Sequence, residues 1–191
     1  MSFTAALERH NATFLLLPQL EPQVTQLIED IYTCLQQGGK VLWMGNGGSA
    51  ADCQHLAAEF VVRYKAERGP LASIALTVDT SIITAHTNDY EFESLFARQI
   101  QALAKPEDLV IGLTTSGNSG NVIQGIEAAK AIGAKCWAWT GRSGGKLASD
   151  TSVALIKVPS AETARIQEAH IFIGHWICEA LDAKTTNSTK A

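Results

Sequence analysis

His55 and Glu59 stand four residues apart in a stretch whose apolar residues recur at helical spacing, so a helix there stacks both side chains on one face. An imidazole and a carboxylate so placed can work as an acid/base pair or as two ligands to one metal ion. The same spacing also describes an ordinary solvated or structural pair. A second histidine, His175, lies among Ile171, Phe172, Ile173 and Trp176, where a satisfied core histidine is the plainer reading. Gln167 precedes it by eight residues, about 12 Å along a continuous helix. Two side chains that far apart share one metal only if the helix begins between them or if the site draws on more than one chain.

Two glycine- and hydroxyl-rich segments offer a different chemistry. Gly45-Asn46-Gly47-Gly48-Ser49-Ala50 follows one apolar run, and Thr114-Thr115-Ser116-Gly117-Asn118-Ser119-Gly120-Asn121 follows another. Each reads as the loop between the carboxyl end of a strand and the start of a helix, where open α/β sheets bind ligands. Glycines let several N–H groups face one way, and the helix N-terminus favours an anion. Caps and turns alone use the same residue types, but two such loops in equivalent places favour a shared ligand. Gly45-x-Gly47-x-x-Ala50 fits a dinucleotide fingerprint, yet Asp79 falls 29 residues after Ala50, late for a ribose-binding acid expected about 20 residues on. No Gly-Lys-Ser/Thr follows either loop, which disfavours a nucleoside triphosphate still more. A small phosphorylated sugar is the better ligand, its phosphate on the hydroxyl loop. Asn88-Asp89 reads either as a helix cap or as a clamp on substrate hydroxyls. No cysteine or lysine has a context that argues for a nucleophile.

The elements that must hold these groups are legible in outline. Residues 40–44, 73–77, 109–113, 135–139 and 153–158 are short, nearly continuous apolar runs, as expected of parallel strands covered on both faces. Between them, residues 50–64, 92–104 and 122–132 carry apolar residues three and four apart. The expected fold is α/β: one domain, 1–191, with a doubly wound, five-stranded parallel sheet flanked by helices. Residues 1–38 read as extra helices broken near Pro18 and Pro22, 39–183 as the α/β core ending in a long helix over Ala164–Ala183, and 184–191 as a polar tail expected to fray. At 191 residues, with 46% hydrophobic and 18% charged residues, the chain can bury a sizeable core. A net charge of -4 disfavours nucleic acid as partner. Neither a signal peptide nor a membrane span is recognisable, and four scattered cysteines without a Cys-x-x-Cys pair suit reduced thiols, so a cytoplasmic protein is expected.

Taken together, Gly45-Asn46-Gly47-Gly48-Ser49-Ala50-Ala51-Asp52-x-Gln54-His55-x-Ala57-Ala58-Glu59, Asn88-Asp89, Thr115-Ser116-Gly117-Asn118-Ser119-x-Asn121-Val122, Thr140-Gly141-x-x-Gly144-Gly145-Lys146, and Arg165-Ile166-Gln167-Glu168-x-His170 with His175 form a specific set. From Leu7 to Asp182 the chain resembles the bacterial phosphoheptose isomerases, a family of sugar-isomerase (SIS) domain proteins. The resemblance implies an aldose–ketose isomerase acting on sedoheptulose 7-phosphate, the first step toward nucleotide-activated heptose for lipopolysaccharide core. It implies a homotetramer with sites between subunits and one zinc ion per subunit, held by His55, Glu59, Gln167 and His175. It places the acid/base pair on Glu59 and His175, and substrate contacts on Asn46, Gly47, Gly48, Glu59, Asn88, Asp89, Thr114, Thr115, Ser116, Ser119 and Gln167. The chain departs from some members at Ala164, where they carry Asp. A sister group with the same domain consists of non-catalytic binding proteins, one of which engages a replication initiator. That protein lacks the carboxylate and the histidine found here as Glu59 and His175, so the isomerase is the expected function.

Overall fold

The five apolar runs form one parallel sheet in the computed structural model, which describes residues 2–188. Its strands are β1 (Val41–Gly45), β2 (Ser73–Ala75), β3 (Leu109–Leu113), β4 (Lys135–Thr140) and β5 (Ala154–Lys157), in the order β2-β1-β3-β4-β5. Trp43 pairs with Ala75 on one side and Ile111 on the other, and Ile111 pairs in turn with Trp137. Every residue of β1 and β3 is buried, which is why their sequences do not alternate.

Seven helices surround the sheet among the described residues: α1 (Phe3–Phe14), α2 (Glu21–Gln36), α3 (Gly48–Val61), α4 (Thr80–Asp89), α5 (Leu95–Leu103), α6 (Gly120–Ile132) and α7 (Thr163–Ser188). A 3-10 turn over Leu17–Leu20 separates α1 from α2 where the two prolines stand. Because strand side chains alternate, Trp43 of β1 joins Leu27, Leu56, Phe60, Trp139 and Ile173 on one face, while Leu42 and Met44 join Phe96, Ile100, Val122 and Ile126 on the other. Trp43 meets Phe60 and Trp139 edge-on, with ring centroids 5.7 and 5.8 Å apart; each such pair adds about 0.5–1.5 kcal/mol beyond burial.

The helices after β1 and β3 therefore leave toward opposite faces although the two strands are neighbours. That is the point in a doubly wound sheet where a crevice opens beyond the carboxyl ends, and both glycine-rich loops lie there. On the first face, α3 and α7 run side by side in one direction. A Cβ on Gly174 would stand 2.4 Å from Leu56 Cδ2, so the absence of a side chain is what lets the two helices approach.

Several boundaries differ from expectation for identifiable reasons. Asp79 is a helix cap: its carboxylate accepts from the Ile82 amide at 2.9 Å and starts α4, a helix without a clear apolar stripe. Asn88 and Asp89 close that helix at its C-terminal end, and neither caps an N-terminus. The C-terminal helix runs on from Ala183 to Ser188, with Lys184 paired to Glu29 at 2.8 Å. Residues 189–191 of the expected tail lie outside the described residues. All four cysteines are buried thiols, and no helix among the described residues is long and apolar enough to cross a membrane.

Of the two histidines on α7, His170 and not His175 enters the core. Its side chain is fully buried, with Nε2 3.4 Å from the Thr140 carbonyl and no hydrogen-bond partner at Nδ1 among the described residues. Burial pushes its pKa down to about 4, opposed by the Thr140 carbonyl. The unfolded chain takes up this proton near pH 6.5 and the folded chain only near pH 4. The stability contributed by the neutral ring is thus fully present above pH 6.5 and lost as pH falls toward 4, up to roughly 3 kcal/mol. Urea unfolding across this window should show that loss, and His170→Gln should flatten it.

Candidate active site

The two loops are joined across the crevice by a reciprocal amide pair. Asn46 Nδ2 donates to Asn121 Oδ1 and Asn121 Nδ2 donates to Asn46 Oδ1, both at 2.8 Å. Asn121 is buried at the start of α6 and its Oδ1 also accepts from the Val122 amide at 2.9 Å. With the Asn46 side chain committed in this way, the backbone of Gly47 and Gly48 is what the first loop presents. A recess of about 150 Å³ beside it is lined by Asn46, Gly47, Thr77, Ile83 and Phe92 among others.

The second loop gathers hydroxyls. Thr114 Oγ1 lies 2.9 Å from Ser119 Oγ and 3.5 Å from Ser116 Oγ, and the Asn118 amide donates to Ser116 Oγ at 3.1 Å. Thr114 is buried, Thr115 and Ser119 are half-buried and Ser116 is exposed. Ser119 stands at the N-cap position of α6, so the free amides of that helix's first turn face the same space, a suitable seat for an anion. A third segment braces this loop from behind: the Gly141 amide donates to the Thr115 carbonyl at 3.0 Å and the Lys146 amide to Asn118 Oδ1 at 2.9 Å. Gly117 has φ +69, and a Cβ there would lie 2.0 Å from the Gly144 carbonyl oxygen. No other residue fits that contact.

On the far side of α3 the chemistry of proton transfer assembles. His55 Nε2 is 2.9 Å from His175 Nε2 and 3.4 Å from Glu59 Oε1. One turn of α3 and the neighbouring turn of α7 thus bring a carboxylate and two imidazoles into one string. The Glu59 side chain is 23% exposed and that of His55 47%, so the string borders solvent. Burial, then the neighbouring His55, holds His175 below the ordinary imidazole value, with Glu59 opposing and Lys65 adding to the effect. The neutral ring, able to accept or donate a proton, is favoured. One turn earlier, burial raises Asp52 to about 6 against the pull of His55, and its Oδ2 has no hydrogen-bond partner among the described residues.

Not every residue singled out from the sequence converges. α7 is continuous through Gln167 and His175, so the helix does not begin between them. Gln167 sits two turns before His175, its amide against Gly48, where a Cβ would meet Nε2 at 2.5 Å. It belongs with the first loop rather than with the two imidazoles of the same chain. Asn88 and Asp89 are exposed and bond to each other at 2.8 Å. Asn121 could have been found from its place in the hydroxyl loop. Arg68 and Asp182, which join the ends of α3 and α7 at 2.7 Å, carried no sequence signal because 114 residues separate them.

The donor set suits zinc: two imidazole nitrogens and a carboxylate, without thiolate. Two nitrogens on one zinc at ~2.1 Å stand about 3.4 Å apart in tetrahedral geometry, so the His55–His175 separation needs to open by only a few tenths of an ångström. Among the described residues no group of three or more His, Cys, Asp or Glu side chains is already gathered around one metal-sized point.

Comparison with known proteins sets this geometry in context. Residues 11–141 match the SIS domain. The chain is 56% identical over 160 residues to a phosphoheptose isomerase of Aquifex aeolicus, covering 84% of this chain and 83% of that protein. It is 49% identical over 180 residues to a phosphoheptose isomerase of Campylobacter concisus, covering 92% and 93%. Its structure is similar to that of the phosphoheptose isomerase of Neisseria gonorrhoeae, with a TM-score of 0.88 and 40% identity over 94% of this chain and 96% of that one.

Proposed function

The chain belongs to the phosphoheptose isomerase family of SIS-domain proteins, and from that premise we propose that it converts sedoheptulose 7-phosphate to D-glycero-D-manno-heptose 7-phosphate. The observation that carries this reading is the string Glu59–His55–His175, with spacings of 3.4 and 2.9 Å, in which α3, the helix that opens from the first loop, supplies Glu59 and His55 and α7 supplies His175. A ketose becomes an aldose when a proton leaves C1, beside the C2 carbonyl, and one is added to C2. The Glu59 carboxylate takes the first and returns it through an enediol, while His175 carries a proton from O1 to O2. The hydroxyls of Thr114, Thr115, Ser116 and Ser119, with the opening amides of α6, hold the phosphate. Asn46, Gly47, Gly48 and Gln167 border the sugar, and Asn88 and Asp89 clamp its hydroxyls. The free backbone groups of the first loop matter more here than the Asn46 amide, which is occupied by Asn121.

His55, Glu59 and His175 are the residues that would hold zinc; Gln167, seated against Gly48 two turns away on the same helix, would join them only across a subunit boundary. Zinc bound there supplies an electrophile for the oxyanion that develops during enolisation. Phe172 and Trp176 of α7 are about half exposed and line, with Phe14, Leu17 and Leu20, an apolar groove of about 330 Å³. Such a surface supports the association expected of a homotetramer with sites between subunits, and a cytoplasmic setting belongs to the same reading. The binding-protein alternative is not favoured, because it has no use for an acid/base string on the helix that opens from a glycine-rich loop.

The test is turnover of sedoheptulose 7-phosphate by the purified protein with added zinc, following loss of ketose and gain of aldose. Turnover is the expected result; a folded, zinc-loaded protein without it overturns the proposal. Treatment with a chelator should lower the rate while circular dichroism stays unchanged. Full turnover after metal removal would make zinc incidental to the reaction.

A further inference from the structure

Beyond Val61 the chain leaves α3 and crosses irregularly to β2, and this segment is held in an unusual way. Asp182 of α7 accepts three bonds from it: from the Lys65 and Ala66 amides at 2.8 Å through Oδ2, and from Arg68 Nε at 2.7 Å through Oδ1. Arg68 in turn donates to the carbonyls of Glu59 at 2.8 Å and Phe60 at 2.9 Å, closing the C-terminal end of α3. The Arg68 and Asp182 side chains are only 2% and 5% exposed. An ion pair buried so deeply gains little stability over an apolar pair of the same volume, but it fixes geometry, and this one ties the helix of Glu59 to the helix of His175.

What the tie places is Tyr64. Its ring lies flat on His175, with centroids 5.5 Å apart and planes 21° from parallel, while His55 meets the same imidazole edge-on at 5.1 Å and 69°. His175 is thereby fixed on one face by an aromatic ring and at Nε2 by a histidine. Tyr64 is half-buried, the Lys65 ammonium stands 5.3 Å from its ring centroid, and its hydroxyl makes no hydrogen bond among the described residues, so the ring face is the part that matters. An acid/base imidazole must hold its nitrogen within roughly 10–20° of the productive direction, and rotation about its outer torsion is broad and soft unless packing restrains it.

We propose that Tyr64 is a positioning residue of the acid/base site: stacked on His175 and held there by the Arg68–Asp182 pair, it fixes the plane in which His175 exchanges protons. The proposal rests on the isomerase reading, and two measurements separate their failures. In steady-state kinetics of the full chain with sedoheptulose 7-phosphate, Tyr64→Leu should lower kcat about tenfold, leave KM within about twofold, and keep the melting temperature within a few degrees. Tyr64→Phe should restore kcat to within about twofold of the parent. A Tyr64→Leu variant with parental kcat, or a Tyr64→Phe variant as impaired as Tyr64→Leu, overturns the proposal. The second measurement needs no substrate. The His175 Cε1–H resonance, assigned by its disappearance in His175→Gln, should carry a ring-current shift that Tyr64→Phe keeps and Tyr64→Leu loses. An unchanged resonance in Tyr64→Leu overturns the proposal whether or not the protein turns over. Absent turnover with the expected resonance shifts counts against the isomerase alone.

Discussion

Replacing Glu59 by Gln lowers kcat for sedoheptulose 7-phosphate by about 10²–10⁴-fold, the range over which a positioned general base contributes. The amide keeps the shape of the carboxylate and an oxygen 3.4 Å from His55 but cannot accept the C1 proton. Its folding cost is small, because the side chain is 23% exposed and the helix around it is anchored by Leu56 and Phe60 in the core. His175→Gln should fall by a comparable factor for the complementary reason: the proton on O1 loses its carrier to O2. Circular dichroism and the melting temperature of both variants should match the parent, so that lost turnover reads as lost chemistry. If either variant kept near-parental kcat, the assignment of that residue would fail.

Gly117→Ala should be strongly destabilising. The residue has φ +69, and its added Cβ would fall 2.0 Å from the Gly144 carbonyl oxygen. A left-handed conformation costs a non-glycine residue about 1–2 kcal/mol, and forced overpacking adds roughly 1–3 kcal/mol. A loss of about 2–5 kcal/mol in a chain of this size lowers the melting temperature by roughly 5–15 °C. Relief of the clash separates the second loop from the 141–146 segment that braces it, through the Gly141 and Lys146 amides. The hydroxyls of Thr114, Ser116 and Ser119 would then lose their common focus, and KM should rise more than kcat falls. Calorimetry and kinetics on the same preparation check both halves. A variant with parental KM would show that the loop does not seat the phosphate.

These expectations draw unequally on sequence and on structure. Strands β1 and β3 were readable because both faces of a parallel sheet are covered, which leaves consecutive apolar residues with little else to be. The loops were readable because glycine and hydroxyl residues must follow such strands where a backbone meets a ligand, and His55 with Glu59 because helical periodicity is local. Helix α4 is not legible in the sequence: its apolar residues form no clear stripe, and its start depends on a single cap at Asp79. His170 and His175 sit five residues apart in equally apolar surroundings, and periodicity could not say which entered the core.

The sequence alone therefore determined the fold class, the family resemblance and the residues able to do chemistry, since each is written in short-range spacing or in motifs. Tertiary structure decided which of them meet. His55 reaches His175 because Gly174 lets α7 close on Leu56 of α3, whereas Gln167, on the same helix, faces Gly48 instead. The Asn46–Asn121 pair, the Gly117–Gly144 contact and the Arg68–Asp182 tie each join segments far apart in the chain. Such contacts come from how helices and loops pack across a sheet, a geometry that no local pattern of residues encodes.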